Sequence, residues 1–364
     1  MKTHLAGRSL GQFRERLLKW FRAHQRDLPW RSSRDPYRIW VAEIMLQQTR
    51  IAAVMPYYER FLERFPSVQL LADAPQQEVL KLWSGLGYYS RARNLHLAAK
   101  KIVAEHEGKF PRGPEAALKL PGIGVYTAAA VLSIAYDVPL AVLDGNVARV
   151  LARIDAIHGD LRAPRTWRAL TENADRLLAQ DAASDWNQAL MELGEVICTP
   201  KSPRCLLCPV LQSCRAYAEG ITHEIPAPRK KRAPVSQTIA ALILLDAKGR
   251  TLLVKDPGAH DDVLFSRMWQ FPAIQVSREA KLELEKYFAE SFALKKLELE
   301  ELPSARHGVT FRSITLLPFL ARVAKLPKPP RSRILELKKL ETVPVSSATK
   351  KLAAAVVQSI RKPS

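Results

Sequence analysis

The sequence predicts two folded parts on one chain. A mainly α-helical region covers residues 1–224 and a small α+β domain covers 237–364, with a basic, proline-rich linker at 225–236 between them. Three observations carry that division. From about residue 8 to residue 218, apolar residues recur at spacings of three and four, as in "VLKLWSGLGYYSRARNLHLAAKKIVAEH" and "VARVLARIDAIHG", the period of helices that bury one face. At "IPAPRKKRAPVS" three prolines and four consecutive basic residues break all periodicity, as an extended, exposed connection does. Beyond it "QTIAALILLD", "RTLLVKD" and "SITLLPFLARV" are β-rich, and one amphipathic helix is expected in "SREAKLELEKYFAESFALKK".

Composition narrows the function. With 364 residues, 47% of them hydrophobic, the chain has material for two cores and is not mainly disordered. A formal net charge of +20 favours nucleic acid or an anionic surface as partner. The first residues, "MKTHLAGRSLGQFRERLLKW", lack a signal-type apolar core, and no apolar run reaches the roughly 18 residues of a membrane span. A cytoplasmic, nucleoid-associated monomer with no membrane attachment is therefore expected.

Two short stretches carry chemistry. In "LPGIGVYTAAAV", residues 120–131, Gly122 and Gly124 make a tight turn that feeds a helix N-terminus. Such a lone turn is ordinarily a helix–helix connection, but its free N–H groups also suit a phosphate oxygen. The four cysteines of the chain fall together as Cys198-x(6)-Cys205-x(2)-Cys208-x(5)-Cys214. That crowding is unlike the dispersed staples of a secreted fold. Four thiolates so placed close around one zinc or hold one cubane iron–sulfur cluster, and spacing alone does not choose between them.

The cysteine pattern resembles the 4Fe–4S loop of the endonuclease III superfamily of DNA glycosylases. Residues 120–127 resemble its helix-hairpin-helix, and "AVLDGNVARV" at 141–150 resembles the aspartate-bearing segment that follows. Within the superfamily the chain is most similar to the adenine DNA glycosylases of the MutY family. The shared motifs are "LPWR" at 28–31, "DPYRIWVAEIMLQQTR" at 35–50, "GLGYYSRARNLH" at 85–96, "LPGIGVYTA" at 120–128, "LDGNVARVL" at 143–151 and "NQALMELGEVICTPKSPRCLLCPVLQSC" at 187–214. The resemblance implies a helix-hairpin-helix glycosylase with a 4Fe–4S cluster on Cys198, Cys205, Cys208 and Cys214. Lys201, Arg204 and Arg215 would decorate that loop for DNA docking. The implied partner is double-stranded DNA with an adenine mismatch. The implied reaction is hydrolysis of the N-glycosidic bond of adenine opposite 8-oxoguanine, or guanine, in base excision repair.

That reaction needs a proton for the leaving base and a negative group beside the positive sugar, the two-carboxylate arrangement of glycoside hydrolysis. Glu43 is the expected acid. Its helical neighbours Ile39, Trp40, Leu46 and Gln47 are largely apolar, so desolvation should raise its pKa. Asp144, at the end of a short apolar run before Gly145, is the expected oxocarbenium stabiliser or nucleophilic partner. A helix N-terminus there should lower its pKa and keep it ionised. By resemblance Tyr126 and Asn146 support the site, Gly122 and Gly124 hold a DNA phosphate, and Trp30, Arg31 and Gln188 surround the flipped base. Gln48 and Tyr88 wedge into the vacated stack, with Thr49 and Leu86 also among the substrate-binding positions. Tyr126 stands where bifunctional relatives carry a Schiff-base lysine, which implies excision without strand cleavage.

The C-terminal part resembles the Nudix-like lesion-recognition domain of the family through "SRMWQFPAIQV" at 266–276, with Ala273 where glycine is usual. Its helix offers only a fragment of the clustered glutamates that a Nudix hydrolase needs, so no pyrophosphatase activity is expected. At "RHGVTFRSI" the chain departs further: Val309, Thr310 and Phe311 replace the family's usual Phe-Ser-His triplet, leaving His307 and Thr310 as the expected contacts to the oxidised base. The rival readings are a bifunctional endonuclease III-like lyase, a thymine mismatch glycosylase and a non-enzymatic iron–sulfur DNA-binding protein.

Overall fold

The computed structural model describes residues 3–227, 233–255, 268–277, 279–292, 294, 297–309 and 312–361. By contact the chain falls into two units, Met1–Ala74 with Ser90–Lys230, and Pro75–Tyr89 with Lys231–Ser364. In chain order the first part is helical: α1 (Gly7–His24), α2 (Pro36–Leu46), α3 (Ile51–Arg64), α4 (Val68–Asp73), α5 (Gln76–Leu82), α6 (Ser90–Glu105), α7 (Pro114–Leu118), α8 (Val125–Tyr136), α9 (Gly145–Ile154), α10 (Pro164–Leu177), α11 (Ala183–Val196) and α12 (Arg215–Ala218). Of these, α5 belongs to the second unit. No helix among the described residues is long and apolar enough to cross a membrane.

Local chemistry explains where the site-bearing helices begin and end. Asp35 caps α2 by accepting from the Tyr37 N–H, with Pro36 at the first helical position. At the other end of α2, the Arg91 guanidinium donates to the Ile44, Met45 and Gln47 carbonyls, which the helix cannot itself satisfy. Helix α8 is the hub of the helical unit, packing against both α2 and α11. Its residues Thr127 to Ala135 are all buried, and the alanines at 128, 129 and 130 let neighbours come close. A second core gathers Phe13, Leu17 and Phe21 of α1, Val147, Leu151 and Ile154 of α9, and Trp186, Leu190 and Leu193 of α11.

The second unit is built on a mixed sheet. Its strands are β1 (Val235–Leu245), β2 (Arg250–Lys255), β3 (Trp269–Gln270), β4 (Ala273–Val276), β5 (Glu300–Glu301), β6 (Ala305–Val309), β7 (Arg312–Arg322) and β8 (Ser332–Glu336). β1 runs parallel to β7 from Val235↔Arg312 to Leu245↔Arg322, and the other ladders are antiparallel. The continuous apolar run of β1 follows from burial on both faces. Ala241, Ile243 and Leu245 join one core with α14 (Ser347–Arg361), while Ala240, Leu242 and Leu244 join another with α13 (Ala280–Phe292). The helix expected from sequence is α13, and the described residues of the C-terminal part hold another. That other helix is α14, whose Ala348, Leu352, Ala353 and Val356 form the buried stripe.

Candidate active site and cysteine loop

Two helix faces and two helix starts converge on a cavity of about 470 Å³ inside the helical unit, a size suited to a small ligand. Helix α2 contributes Ile39, Glu43, Leu46 and Gln47, and α11 contributes Gln188, Met191, Glu192 and Glu195, each set spaced so as to share one face. The remaining walls include Trp30, Arg31, Gln48, Thr49, Tyr126, Asp144 and Asn146. Nine residues expected from sequence to bind or act on substrate therefore meet in one place: Trp30, Arg31, Glu43, Gln48, Thr49, Tyr126, Asp144, Asn146 and Gln188.

Glu43 is 6% exposed, and burial pushes its carboxyl up to about 7. The Tyr126 hydroxyl, which donates to Glu43 Oε2 at 3.0 Å, pulls the other way, the Asp144 charge adds to the rise, and Arg31 opposes it. Burial outweighs the hydroxyl, so near neutrality a large fraction of Glu43 carries its proton. The Tyr126 phenol is itself driven well above its ordinary value by burial and by the two carboxylates.

Asp144 is the N-cap of α9. Its Oδ1 accepts from the Asn146 and Val147 N–H groups at 2.9 and 2.7 Å, and both bonds fall on one oxygen. The expectation that the helix start holds this carboxyl below its ordinary value is not met. Burial raises it, and the two N–H bonds and the Arg149 charge reduce the rise without reversing it. Asn146 is fixed from two sides. Its Oδ1 accepts from Arg149 Nη2 at 3.0 Å, and a Cβ at Gly194 of α11 would lie 2.9 Å from the Asn146 Cβ. Trp30 packs edge-on to Tyr58 at 5.3 Å, and Gln188 Nε2 donates to Ser184. Gln48 holds a left-handed backbone, φ 57°, just past the end of α2.

Sequence reasoning missed a further cluster lining the cavity. Glu192, 1% exposed, accepts from Arg26 at 2.6 and 2.8 Å and from Arg31 Nη2 at 2.9 Å. Burial pushes this carboxyl up, but the bonds and charges of the two guanidinium groups prevail and hold it below its ordinary value. The available signal was the helical spacing of Glu192 from Gln188; its arginine partners lie 166 and 161 residues away in the chain.

Other expected residues lie elsewhere. Gly122, φ 75°, forms the turn between α7 and α8, and a Cβ there would come within 2.6 Å of the Asn94 Cβ, so glycine is required for both conformation and space. Gly124 is the N-cap of α8. Leu86 and Tyr88 belong to the second unit, as does His307 on β6, whose ring burial and the Lys351 charge hold below its ordinary pKa. Thr310 and Phe311 lie outside the described residues, as does the Val309 side chain.

The four thiols line one further cavity with Val150, Arg153, Leu193 and Val210. Buried Arg153 of α9 ties the loop down, donating to Cys198 Sγ at 3.3 Å, to the Thr199 and Pro200 carbonyls, and to Ile225 O. Burial, opposed by nearby N–H groups, pushes the Cys208 and Cys214 thiols up to about 12 and about 11. Among the described residues no group of three or more His, Cys, Asp or Glu is gathered for a single metal ion.

Residues 41–175 match the HhH-GPD superfamily of base excision DNA repair proteins. Over 398 residues the chain is 34% identical to the adenine DNA glycosylase of Mus musculus, covering 93% of this chain and 77% of that protein. Over 404 residues it is 35% identical to the adenine DNA glycosylase of Homo sapiens, covering 93% and 73%. Among solved structures, a thermostable thymine-DNA glycosylase matches 58% of this chain and 97% of its own at 31% identity and a TM-score of 0.53. A trapped endonuclease III–DNA covalent intermediate matches 60% and 99% at 23% identity and a TM-score of 0.51, which shows a shared fold.

Proposed function

Since the chain belongs to the adenine DNA glycosylase family, and so is a base-excision repair enzyme that hydrolyses N-glycosyl bonds, we propose that its substrate is duplex DNA with adenine opposite 8-oxoguanine or guanine. It flips the adenine into the cavity of about 470 Å³ and removes it without cutting the strand, while Gln48 and Tyr88 fill the vacated stack. The observation that carries this reading is Glu43, buried, poised to about 7 and bonded to Tyr126 in the same cavity as Asp144. Glu43 gives its proton to a ring nitrogen of the departing adenine. Asp144 answers the positive sugar, whose charge draws the carboxyl back toward its ionised form. Water then completes the hydrolysis. No amine stands at position 126 to form a Schiff base, and Trp30, Arg31 and Gln188 close around the base.

The donor set supports a 4Fe–4S cluster on the cysteine loop: four soft sulfur donors line one cavity, although among the described residues no three of them are gathered round a single ion. Cys198, Cys205, Cys208 and Cys214 would hold it. The cluster would fix the loop that presents Lys201, Arg204 and Arg215 to the phosphate backbone, where Gly122 and Gly124 hold a further phosphate. In the second unit, His307 and Thr310 are assigned to the oxidised base.

Single-turnover assays on a duplex with adenine opposite 8-oxoguanine test the reading. Adenine should be released while both strands stay intact until alkali breaks the abasic site. Efficient borohydride trapping of a protein–DNA adduct would overturn the monofunctional assignment, and failure to release adenine would overturn the substrate.

A further inference from the structure

Residues 75–89 lie between α4 and α6 in the chain, yet they group with the C-terminal unit. Val79, Leu80 and Trp83 of this segment are buried. Past Trp83 the chain turns sharply, with left-handed backbone at Gly85, Gly87 and Tyr88, φ 117°, 73° and 48°. A tyrosine stays in that region only where its surroundings over-determine it.

Here the surroundings are a chain of hydrogen bonds. Trp83 Nε1 donates to Gly87 O at 3.2 Å. The Gly85 N–H donates to Tyr89 Oη at 3.4 Å, and Tyr89 Oη donates in turn to the Val345 carbonyl at 3.3 Å. Ser84 Oγ donates to that same carbonyl at 2.6 Å. One carbonyl has two lone pairs, so it takes both bonds at once. Val345 is itself well anchored: it is fully buried and bridged to Trp269, whose N–H donates to Pro344 O at 3.0 Å. Tyr88 remains 39% exposed at the tip.

We propose that Ser84 and Tyr89 are positioning residues that fasten the loop presenting Tyr88 to the Val345 carbonyl of the C-terminal unit, an inference that rests on the reading of Tyr88 as a ring that enters the DNA stack. That ring is then aimed by the C-terminal unit, while the bond is cut in a cavity built from the helical unit. Loosening the fastening blurs the aim of Tyr88 and leaves Glu43 and Asp144 as they are.

The test uses the full chain and a duplex with adenine opposite 8-oxoguanine, with 2-aminopurine beside the lesion to report unstacking. Replacing both hydroxyls, Ser84→Ala with Tyr89→Phe, should weaken binding by about tenfold, each neutral hydrogen bond being worth a few-fold. The fluorescence rise should fall, while the single-turnover rate at saturating protein stays that of the parent. Ser84→Thr, which keeps the hydroxyl, should behave as the parent. In a Tyr88→Ala background the same pair of substitutions should change nothing further, as coupling through Tyr88 requires. If Tyr88→Ala weakens binding but the pair is silent, or its losses simply add, the fastening has no positioning role and the stacking reading stands. If Tyr88→Ala itself binds and unstacks like the parent, the stacking reading fails, and the proposal with it.

Discussion

Two helices lining the same cavity hold buried glutamates shifted in opposite directions. Glu43 on α2 has one hydroxyl partner and rises to about 7; Glu192 on α11 has two guanidinium partners and falls below its ordinary value. Burial pushes both in the same direction, so their partners decide which carboxyl rises and which falls. One cavity thus holds a carboxyl raised by burial and a salt-bridged one, and Arg31, which also lines it, belongs to the salt bridge.

The largest test of that contrast is Glu43→Gln. Removing a positioned general acid costs about 10²–10⁴ in rate, and single-turnover excision should show this while DNA binding persists. A near-parental rate would show that the proton comes from elsewhere. Next is Glu192→Gln, which strands Arg26 and Arg31. Breaking a buried pair costs about 3–5 kcal/mol, so the urea midpoint should drop markedly; an unchanged midpoint would mean that the salt bridge carries no stability.

Dependence on pH separates the two glutamates by sign. Because the folded value of Glu43 lies above its ordinary 4.5, the native state holds an extra proton between 4.5 and about 7, and stability falls as pH rises through that window. Glu192 acts oppositely: its contribution is present above 4.5 and is lost as pH falls through its lowered folded value. Glu43→Gln should therefore gain stability over the parent at pH 8, up to the order of 3 kcal/mol, measured by urea unfolding at several pH values. Equal stabilities at pH 8 would contradict the shift. The smallest effect is that of Tyr126→Phe, which deletes the bond that lowers Glu43. The alkaline limb of the single-turnover profile should move up by about one pH unit, the worth of one hydrogen bond to a charged group. A downward move would reverse the role given to the phenol.

Legibility followed the range of the interaction. Glu43 could be singled out by the family motif, with its apolar helix neighbours, a local pattern, in support, and Asp144 could be read as a cap from its local sequence. The direction of the Asp144 shift could not, because the capping bonds are local while the burial that outweighs them comes from the packed fold. Glu192 went unseen since its partners lie at the far end of the helical unit's sequence. The grouping of residues 75–89 with the C-terminal unit is invisible to periodicity, which shows that a helix has a buried face but not what covers it.

The hairpin glycine at 122 closes off a route of change. Its backbone lies in the left-handed region, and its missing Cβ makes room for Asn94. Trimming Asn94 to glycine would free the space but leave a side chain in a strained left-handed backbone; reshaping the turn would relieve the dihedral but leave Asn94 in the way. Strain and crowding are thus separate obstacles at position 122, and relieving one leaves the other in place.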